Sequence, residues 1–278
     1  MTGEEKELKT KYVWRKPLKV GDGTEKPIVP KKHLNILNPF FAVVYSAPAG
    51  MGKTSSLINY GRENDMDVFL QECSTDMIKE DFVGQWTLEG NDTVFLAGEV
   101  SSAFHWANEH PDRTVLLIFD EINLIQPAVL KGIGSVFDDR KYINVPDGRI
   151  IVGDNLIISG TMNSEENSAG YLLDVSFRSR VIMVNISIPE MISSYHNVGI
   201  KLIKVITNMM EKTKGKFSLR EVGQMGYFTA SKEDGGKGLS SSEAFQYVIQ
   251  KYDYEDRKQL EEIWNMSQVM GEGDEEVD

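Results

Sequence analysis

Cysteine is almost absent from this chain: Cys73 stands alone among 278 residues. A single thiol excludes an internal disulfide and any cysteine-built zinc site, and it makes a reducing, cytoplasmic setting the default expectation. Histidine is scarce as well, and His33, His105, His110 and His196 fall at no metal-ligand spacing. No run of 18 apolar residues occurs, so no membrane-spanning helix is expected and no membrane partner. The opening stretch MTGEEKELKTKYVWRKPLKV mixes both charge signs and lacks an apolar h-region, so it does not read as a secretory signal. Positive charge is in deficit: 30 Lys and Arg stand against 42 Asp and Glu, a formal net charge of −12. That balance excludes a protein that coats nucleic acid over its whole surface, but it leaves room for a local basic patch. The imbalance is uneven. Residues 1–33 hold nine Lys and Arg against five acids, whereas the last eight residues, GEGDEEVD, hold five acids and no base and are expected to be disordered.

What is present suits one globular core with a small addition. Hydrophobic residues make up 41% of the chain, enough for a sizeable core. The length fits one full domain plus a small addition better than two full domains. Short apolar, β-branched runs recur: FFAVVYS (40–46), DVFLQE (67–72), TVLLIFD (114–120), NLIISG (155–160) and RVIMVNIS (180–187). FFAVVYS suits a fully buried strand, DVFLQE is a second candidate strand, TVLLIFD is the most strand-like run, and NLIISG and RVIMVNIS read as further buried strands. Helical patterns separate them, at AFHWANEH (103–110) and around residues 126–137. RKYINV, PDG and RIIVGD (140–154) read as a hairpin. Strands alternating with helices predict an α/β fold with a mostly parallel five-stranded sheet flanked by helices. After about residue 188 only helical patterns follow, which predicts a small C-terminal α-helical lid. The expected organisation is an N-terminal arm over 1–35, an α/β core over 36–187, a helical lid over 188–270 and an acidic tail over 271–278.

Chemistry concentrates in two places. Ala47-Pro48-Ala49-Gly50-Met51-Gly52-Lys53-Thr54 follows a buried strand and opens a helix, and it fits the Walker A pattern with Ala in place of the first Gly. Glycines at 50 and 52 let backbone N–H groups turn inward around phosphate oxygens, and the positive end of the following helix faces the same anion. Pro48, Ala49, Gly50, Met51, Gly52, Lys53, Thr54 and Ser55 are therefore the candidate phosphate-binding residues, with Lys53 reaching the β- and γ-phosphates and the Thr54 hydroxyl on Mg²⁺. The second place is LLIFDE (116–121), an apolar strand closed by two acids. A carboxylate at the carboxyl end of a sheet strand lies where α/β sheets bind ligands. Asp120 is the candidate for the metal shell, and Glu121 is the candidate general base that polarises the attacking water.

With these residues in place the chain resembles the AAA+ superfamily, and further motifs fall in order. GTMN (160–163) follows a strand, so the resemblance implies that Asn163 is the sensor 1 residue that positions the lytic water. FRSRV (177–181) looks like the Arg-rich segment before the last sheet strand, which makes Arg180 the best match to an arginine finger, with Arg178 in reserve. FSLR (217–220) is similar to a sensor 2 segment, so Arg220 would reach the phosphates from the lid. Residues 80–104, EDFVGQWTLEGNDTVFLAGEVSSAF, are similar to the stretch of MoxR-like and dynein-related AAA+ proteins where an insert interrupts the second helix. The hairpin running into GTMN resembles their pre-sensor 1 hairpin. The resemblance covers residues 40–225; Ala47, Val181 after the finger and a compact lid depart from the family pattern.

The resemblance implies ATP and Mg²⁺ as cofactors and a homo-oligomeric ring, most simply a hexamer, in which Arg180 completes a neighbour's site. Three functions are open at this point. The first is a MoxR-like remodeller acting on a protein partner, in that family often one with a von Willebrand factor A type domain; the acidic net charge favours it. The second is a McrB-like nucleic-acid motor, with GTP as a family exception, which the basic arm 1–33 and hairpin 140–149 favour. The third is a nucleotide-gated assembly module in which hydrolysis is only a timer. Trp86, Phe95, Arg140, Lys141 and Arg149 are candidates to face a ring pore, or else to pack against the core. The scattered methionines read as packing residues.

Overall fold

The computed structural model of the chain describes residues 11–19, 29–90, 92–164, 170–187 and 190, then 207–213, 217–218, 221–222, 224–225, 228 and 237–271. The chain divides into two compact units. One comprises residues 1–25, 31–46 and 54–185; the other comprises 26–30, 47–53 and 186–278.

The first unit is built on a five-stranded sheet. Strands β2 (Ala42–Ala47), β3 (Asp67–Glu72), β6 (Val115–Asp120), β9 (Leu156–Asn163) and β10 (Val181–Asn185) lie in the order β10-β2-β9-β6-β3. The pairs β10–β2, β9–β6 and β6–β3 are parallel. Every residue of β2 is buried, as are Val115–Phe119 of β6 and Leu156–Met162 of β9. A parallel sheet covered on both faces needs such unbroken apolar runs, which is why these strands are legible as continuous rather than alternating segments. Helix α4 (Glu99–Glu109) packs on β3 and β6 through Val100, Ala103, Phe104 and Ala107, spaced as one helix face. Helix α2 (Lys53–Glu63) follows β2; α3 (Lys79–Val83) precedes α4; and α5 (Pro127–Gly132) and a 3₁₀ turn (Gly134–Val136) follow β6. The expected hairpin forms as β7 (Tyr142–Val145) and β8 (Gly148–Ile151), joined by Pro146 and Asp147.

The stretch expected to interrupt a helix does so as a β-hairpin. Strands β4 (Gly84–Glu89) and β5 (Asp92–Ala97) pair antiparallel between α3 and α4. A third strand, β1 (Lys11–Val13), adds to β5 in parallel, with Tyr12 opposite Phe95. Residues 11–19 of the segment expected as an arm are thus strapped to the rest of the first unit. The Arg15 backbone N–H donates to Ser102 Oγ at 3.0 Å, its guanidinium meets Glu99 at 3.2 Å, and the Leu18 N–H donates to the Val68 carbonyl at the free edge of β3 at 2.8 Å. Burial raises the pKa of Glu99, and the Arg15 charge works against that rise.

The C-terminal region is helical where described. Helix α7 (Ser241–Ile249) opens with a capping box between Ser240 and Glu243, and α8 (Tyr254–Gly271) follows. Phe245 stacks on Trp264 at 4.5 Å between ring centroids, with Leu260 and Ile263 also buried. Buried Glu221 accepts from Ser218 and pairs with Lys251, and these partners outweigh burial and hold its pKa below the usual range. Among the described residues no helix is long and apolar enough to cross a membrane.

Candidate active site

The strand order decides where the polar residues meet. β9 lies between β2 and β6, so the carboxyl ends of these three strands are adjacent at one edge of the sheet. Neighbouring strands are about 4.8 Å apart. With Phe119 opposite Gly160, the next residues along, Asp120 and Thr161, become cross-strand neighbours. Side chains two apart on a strand share a face, so Thr161 and Asn163 project together.

The contacts follow from that register. Thr161 Oγ1 donates to Asp120 Oδ1 at 2.6 Å, and Thr54 Oγ1 donates to the same oxygen at 2.5 Å. The Glu121 N–H donates to Thr161 Oγ1 at 3.0 Å, and Asn163 Nδ2 donates to Glu121 Oε1 at 3.1 Å. Glu121 adopts a left-handed backbone, φ 55° and ψ 47°. That conformation is uncommon outside glycine and costs about 1–3 kcal/mol, so it persists only where neighbours over-determine it. Here Thr161 holds the Glu121 backbone and Asn163 holds its carboxylate.

The glycine-rich loop lies in the second unit, up to Lys53. Gly50 and Gly52 have φ of 71° and 67°, values that side chains rarely tolerate and that turn successive N–H groups inward. Met51 is fully buried and anchors the loop, Gly52 leads into α2, and Ala49 and Ser55 are exposed. Lys53 is buried, and its Nζ donates to the Ala47 and Pro48 carbonyls at 3.0 and 2.9 Å.

Donor chemistry tests the fit of a metal. Two hydroxyls and one carboxylate converge at Asp120, a set of hard oxygens. Among the described residues no group of three or more His, Cys, Asp or Glu gathers at this site or at any other. Mg²⁺ is normally held by one or two carboxylates with waters and substrate phosphates, so this set fits it, whereas an all-protein calcium or zinc cage is not provided. Beside the site, the Cys73 N–H donates to the Asp120 carbonyl at 3.1 Å. Burial, with the Asp120 and Glu121 carboxylates nearby, pushes the Cys73 thiol pKa up, so the thiol stays protonated and unreactive.

The arginines lie elsewhere. Arg180 immediately precedes β10, whose first residue is opposite Ala42, the first of β2. Its backbone therefore sits at the amino edge of the sheet, roughly 16 Å along β2 from the carboxyl edge. Among the described residues no hydrogen bond or ion pair holds its guanidinium, which lies over Gly134. Arg178 closes a short helix, α6 (Val175–Arg178), and its Nε donates to the Leu173 carbonyl at 2.9 Å. Leu172 and Val175 beside them are 71% and 83% exposed. Arg220 lies outside the described residues. Of the residues considered for a pore, Phe95 and Lys141 are buried, Lys141 donating to the Leu156 carbonyl at 2.9 Å. Arg140 pairs with Asp138, while Trp86 and Arg149 stay exposed. Thr161 was missed by sequence reasoning. Its signal was its place two residues before Asn163 on one strand face, but register with Asp120 is needed to give it meaning.

Residues 48–181 match the family model of the AAA domain (dynein-related subfamily), slightly less than half of the chain. That stretch, from the glycine-rich loop to the start of β10, is similar to the domains of that family. A solved protein from Cytophaga hutchinsonii ATCC 33406, described as a "putative ATPase", is 12% identical, with 84% of this chain and 87% of that one covered at a TM-score of 0.43. No curated protein matches the chain.

Proposed function

We propose that this protein hydrolyses ATP with Mg²⁺, with Glu121 as the base. The observation that carries the reading is the hydrogen-bonded chain Thr54–Asp120–Thr161–Glu121–Asn163. Backbone amides over 48–54 and Lys53 would bind the phosphates. Thr54 and Asp120 would hold the magnesium, which on binding neutralises charge on the β- and γ-phosphates. Asn163 occupies Glu121 Oε1, which leaves Oε2 to take the proton of an attacking water. The fixed left-handed backbone keeps that oxygen aimed as the reaction proceeds.

Arg180 is too far along the sheet to serve the same site. It would stabilise transition-state charge on the nucleotide of a neighbouring copy, Arg178 being the reserve, so the active form is a homo-oligomeric ring, a hexamer by resemblance. By the resemblance Arg220 remains the sensor 2 candidate. On the same resemblance the ring is MoxR-like and remodels a protein partner. A McrB-like action on nucleic acid has its own structural support in the pocket beside the hairpin.

The Glu121→Gln variant is expected to bind ATP with near-normal affinity and lose hydrolysis by about 10²- to 10⁴-fold. Normal turnover would remove Glu121 from the role. Mixing it with Arg180→Ala subunits is expected to restore part of the activity, because each then supplies what the other lacks; no rescue excludes a finger acting between copies.

A further inference from the structure

The two basic segments that the sequence keeps far apart, the arm and the hairpin, meet in the first unit. Tyr12, Trp14, His105, Val145, Asp147, Gly148, Arg149 and Ile150 line a pocket of about 330 Å³, at the small-ligand end of the usual range. One wall is aromatic. Tyr12 and Trp14 are parallel within 14° at 5.8 Å between centroids, and Trp14 stacks on His105 at 4.1 Å. Trp86, 45% exposed, extends this wall against Tyr12 and Phe95. The other wall is the tip of the β7–β8 hairpin. Arg149 is held there over the Tyr142 ring at 3.9 Å with its Nε directed to Asn144 Oδ1.

Charge of both signs surrounds this pocket: Asp147 lines it and Glu109 acts on His105, while Arg149 lines it and basic residues flank Tyr12 and Trp14 in the chain. Arg149 lines the pocket and is exposed, and Lys11, Arg15, Lys16 and Lys19, exposed as well, belong to the same segment as Tyr12 and Trp14. Lys11 and Arg15 meet Glu89 and Glu99, but Lys16, Lys19 and Arg149 have no ion pair among the described residues. The acid within the pocket is Asp147, which likewise lacks an ion pair there. Next to it the Tyr12 hydroxyl is buried and faces the Asp147 carboxylate; burial and that carboxylate push its pKa up to about 12. A purely cationic ligand would meet Arg149 as well as Asp147. A nucleotide uses both signs: the base stacks on the rings, its amino group donates to Asp147, and its phosphate meets Arg149 and the lysines.

We propose that this pocket binds single-stranded nucleic acid, one or two bases against the Tyr12–Trp14–His105 wall and the adjoining phosphate on Arg149, with the exposed basic residues of the 11–19 segment taking phosphates further along the strand. Asp147 accepts best from an exocyclic amino group, so cytosine is favoured over thymine, which offers a carbonyl at that position.

The test uses the full-length chain without nucleotide, so its outcome does not depend on the hydrolysis reading. Fluorescein-labelled oligo(dC) and oligo(dT) of about 12 nucleotides are titrated by anisotropy across a salt series, with tryptophan emission recorded in parallel. Salt-sensitive binding with quenching of tryptophan emission is expected, tighter for oligo(dC). Arg149→Ala is expected to weaken both about tenfold and to flatten the salt slope by about 0.7, the value for one phosphate contact on a single strand. Asp147→Asn is expected to abolish the preference for oligo(dC). Both positions are exposed, and ATP turnover without nucleic acid is expected to be unchanged in both variants. Absence of binding at about 50 mM salt, or binding unchanged in both variants, overturns the proposal. So does displacement of the oligonucleotide from this pocket by a lysine-rich peptide that itself quenches tryptophan, which would make it a peptide site.

Discussion

The two main sheets of the first unit are built on different principles. The central strands β2, β9 and β6 of the five-stranded sheet are buried on both faces, and the polar network lies at the last residues of β6 and β9, where the strands run out of cover. The β1-β5-β4 sheet is small, with one aromatic face shared with His105 and the β7–β8 tip, and much of its surface is open: Leu88 is 77% exposed and Leu96 41%. In the first, burial forces a register, and the register forces Asp120 against Thr161. In the second, a few large rings carry the packing, and the same rings remain available to a ligand. The lesson is that a fully buried sheet makes a precise site at its edge, whereas a half-buried aromatic sheet makes an adaptable surface.

Three substitutions can break or sharpen that contrast. Phe95 is 1% exposed and touches Tyr12, Trp14 and Trp86, so Phe95→Ala is expected to cost about 3–5 kcal/mol in urea unfolding. If the sheets are separate in function, the folded variant is expected to match the parent in the proposed ATP hydrolysis. A loss of kcat under conditions where circular dichroism shows it folded would mean that the small sheet supports the site.

Next in size, Thr161→Val removes the hydroxyl that joins Asp120 to the Glu121 N–H while keeping the side-chain shape. Turnover is expected to fall by about 10²-fold, some 2–3 kcal/mol, with Thr161→Ser retaining most of it. Equal losses in both variants would mean that the methyl packing, not the hydrogen bonds, is what matters.

The smallest effect is at the edge strand β3. Asp67 accepts from Arg113 and from Trp106 Nε1, the latter at 2.9 Å. Burial works against its ionisation, but these partners more than offset it and hold its pKa below the ordinary value. A depressed pKa means the stabilisation is present above the unfolded value, about 3.9, and is lost as pH falls through the folded one. Asp67→Asn is expected to cost about 1 kcal/mol at pH 7, with the difference from the parent shrinking below about pH 4. A pH-independent difference would show that shape rather than charge is responsible.

Much of this was legible in advance. All five strands of the large sheet were visible as short apolar runs, most clearly β2, β6 and β9, because strands buried on both faces cannot alternate with polar residues. β3 coincides with DVFLQE, and β6 ends at Asp120. The glycine-rich loop was legible because positive φ at Gly50 and Gly52 requires that residue type. β1 was not: three residues with two exposed have no periodicity, and its partner β5 lies some eighty residues on. β4 and β5 were also missed as strands, although Gly90 and Asp92 flank the point where they reverse, since Trp86 and Leu88 read as readily as an exposed helix face.

By itself the amino-acid order determined which segments are buried strands, where the chain can wrap an anion, and that two acids close the strand that follows. These are local properties, set by side-chain hydrophobicity and by the φ that each residue tolerates. Only the tertiary structure decided that β9 lies between β2 and β6, which makes Thr161 the bridge between Asp120 and Glu121. It also decided that Arg180 starts from the opposite edge, and that the basic arm and the hairpin tip enclose one aromatic pocket. Strand order and register are settled by the burial of the whole sheet, and that cooperative sum has no signature in any single stretch of residues.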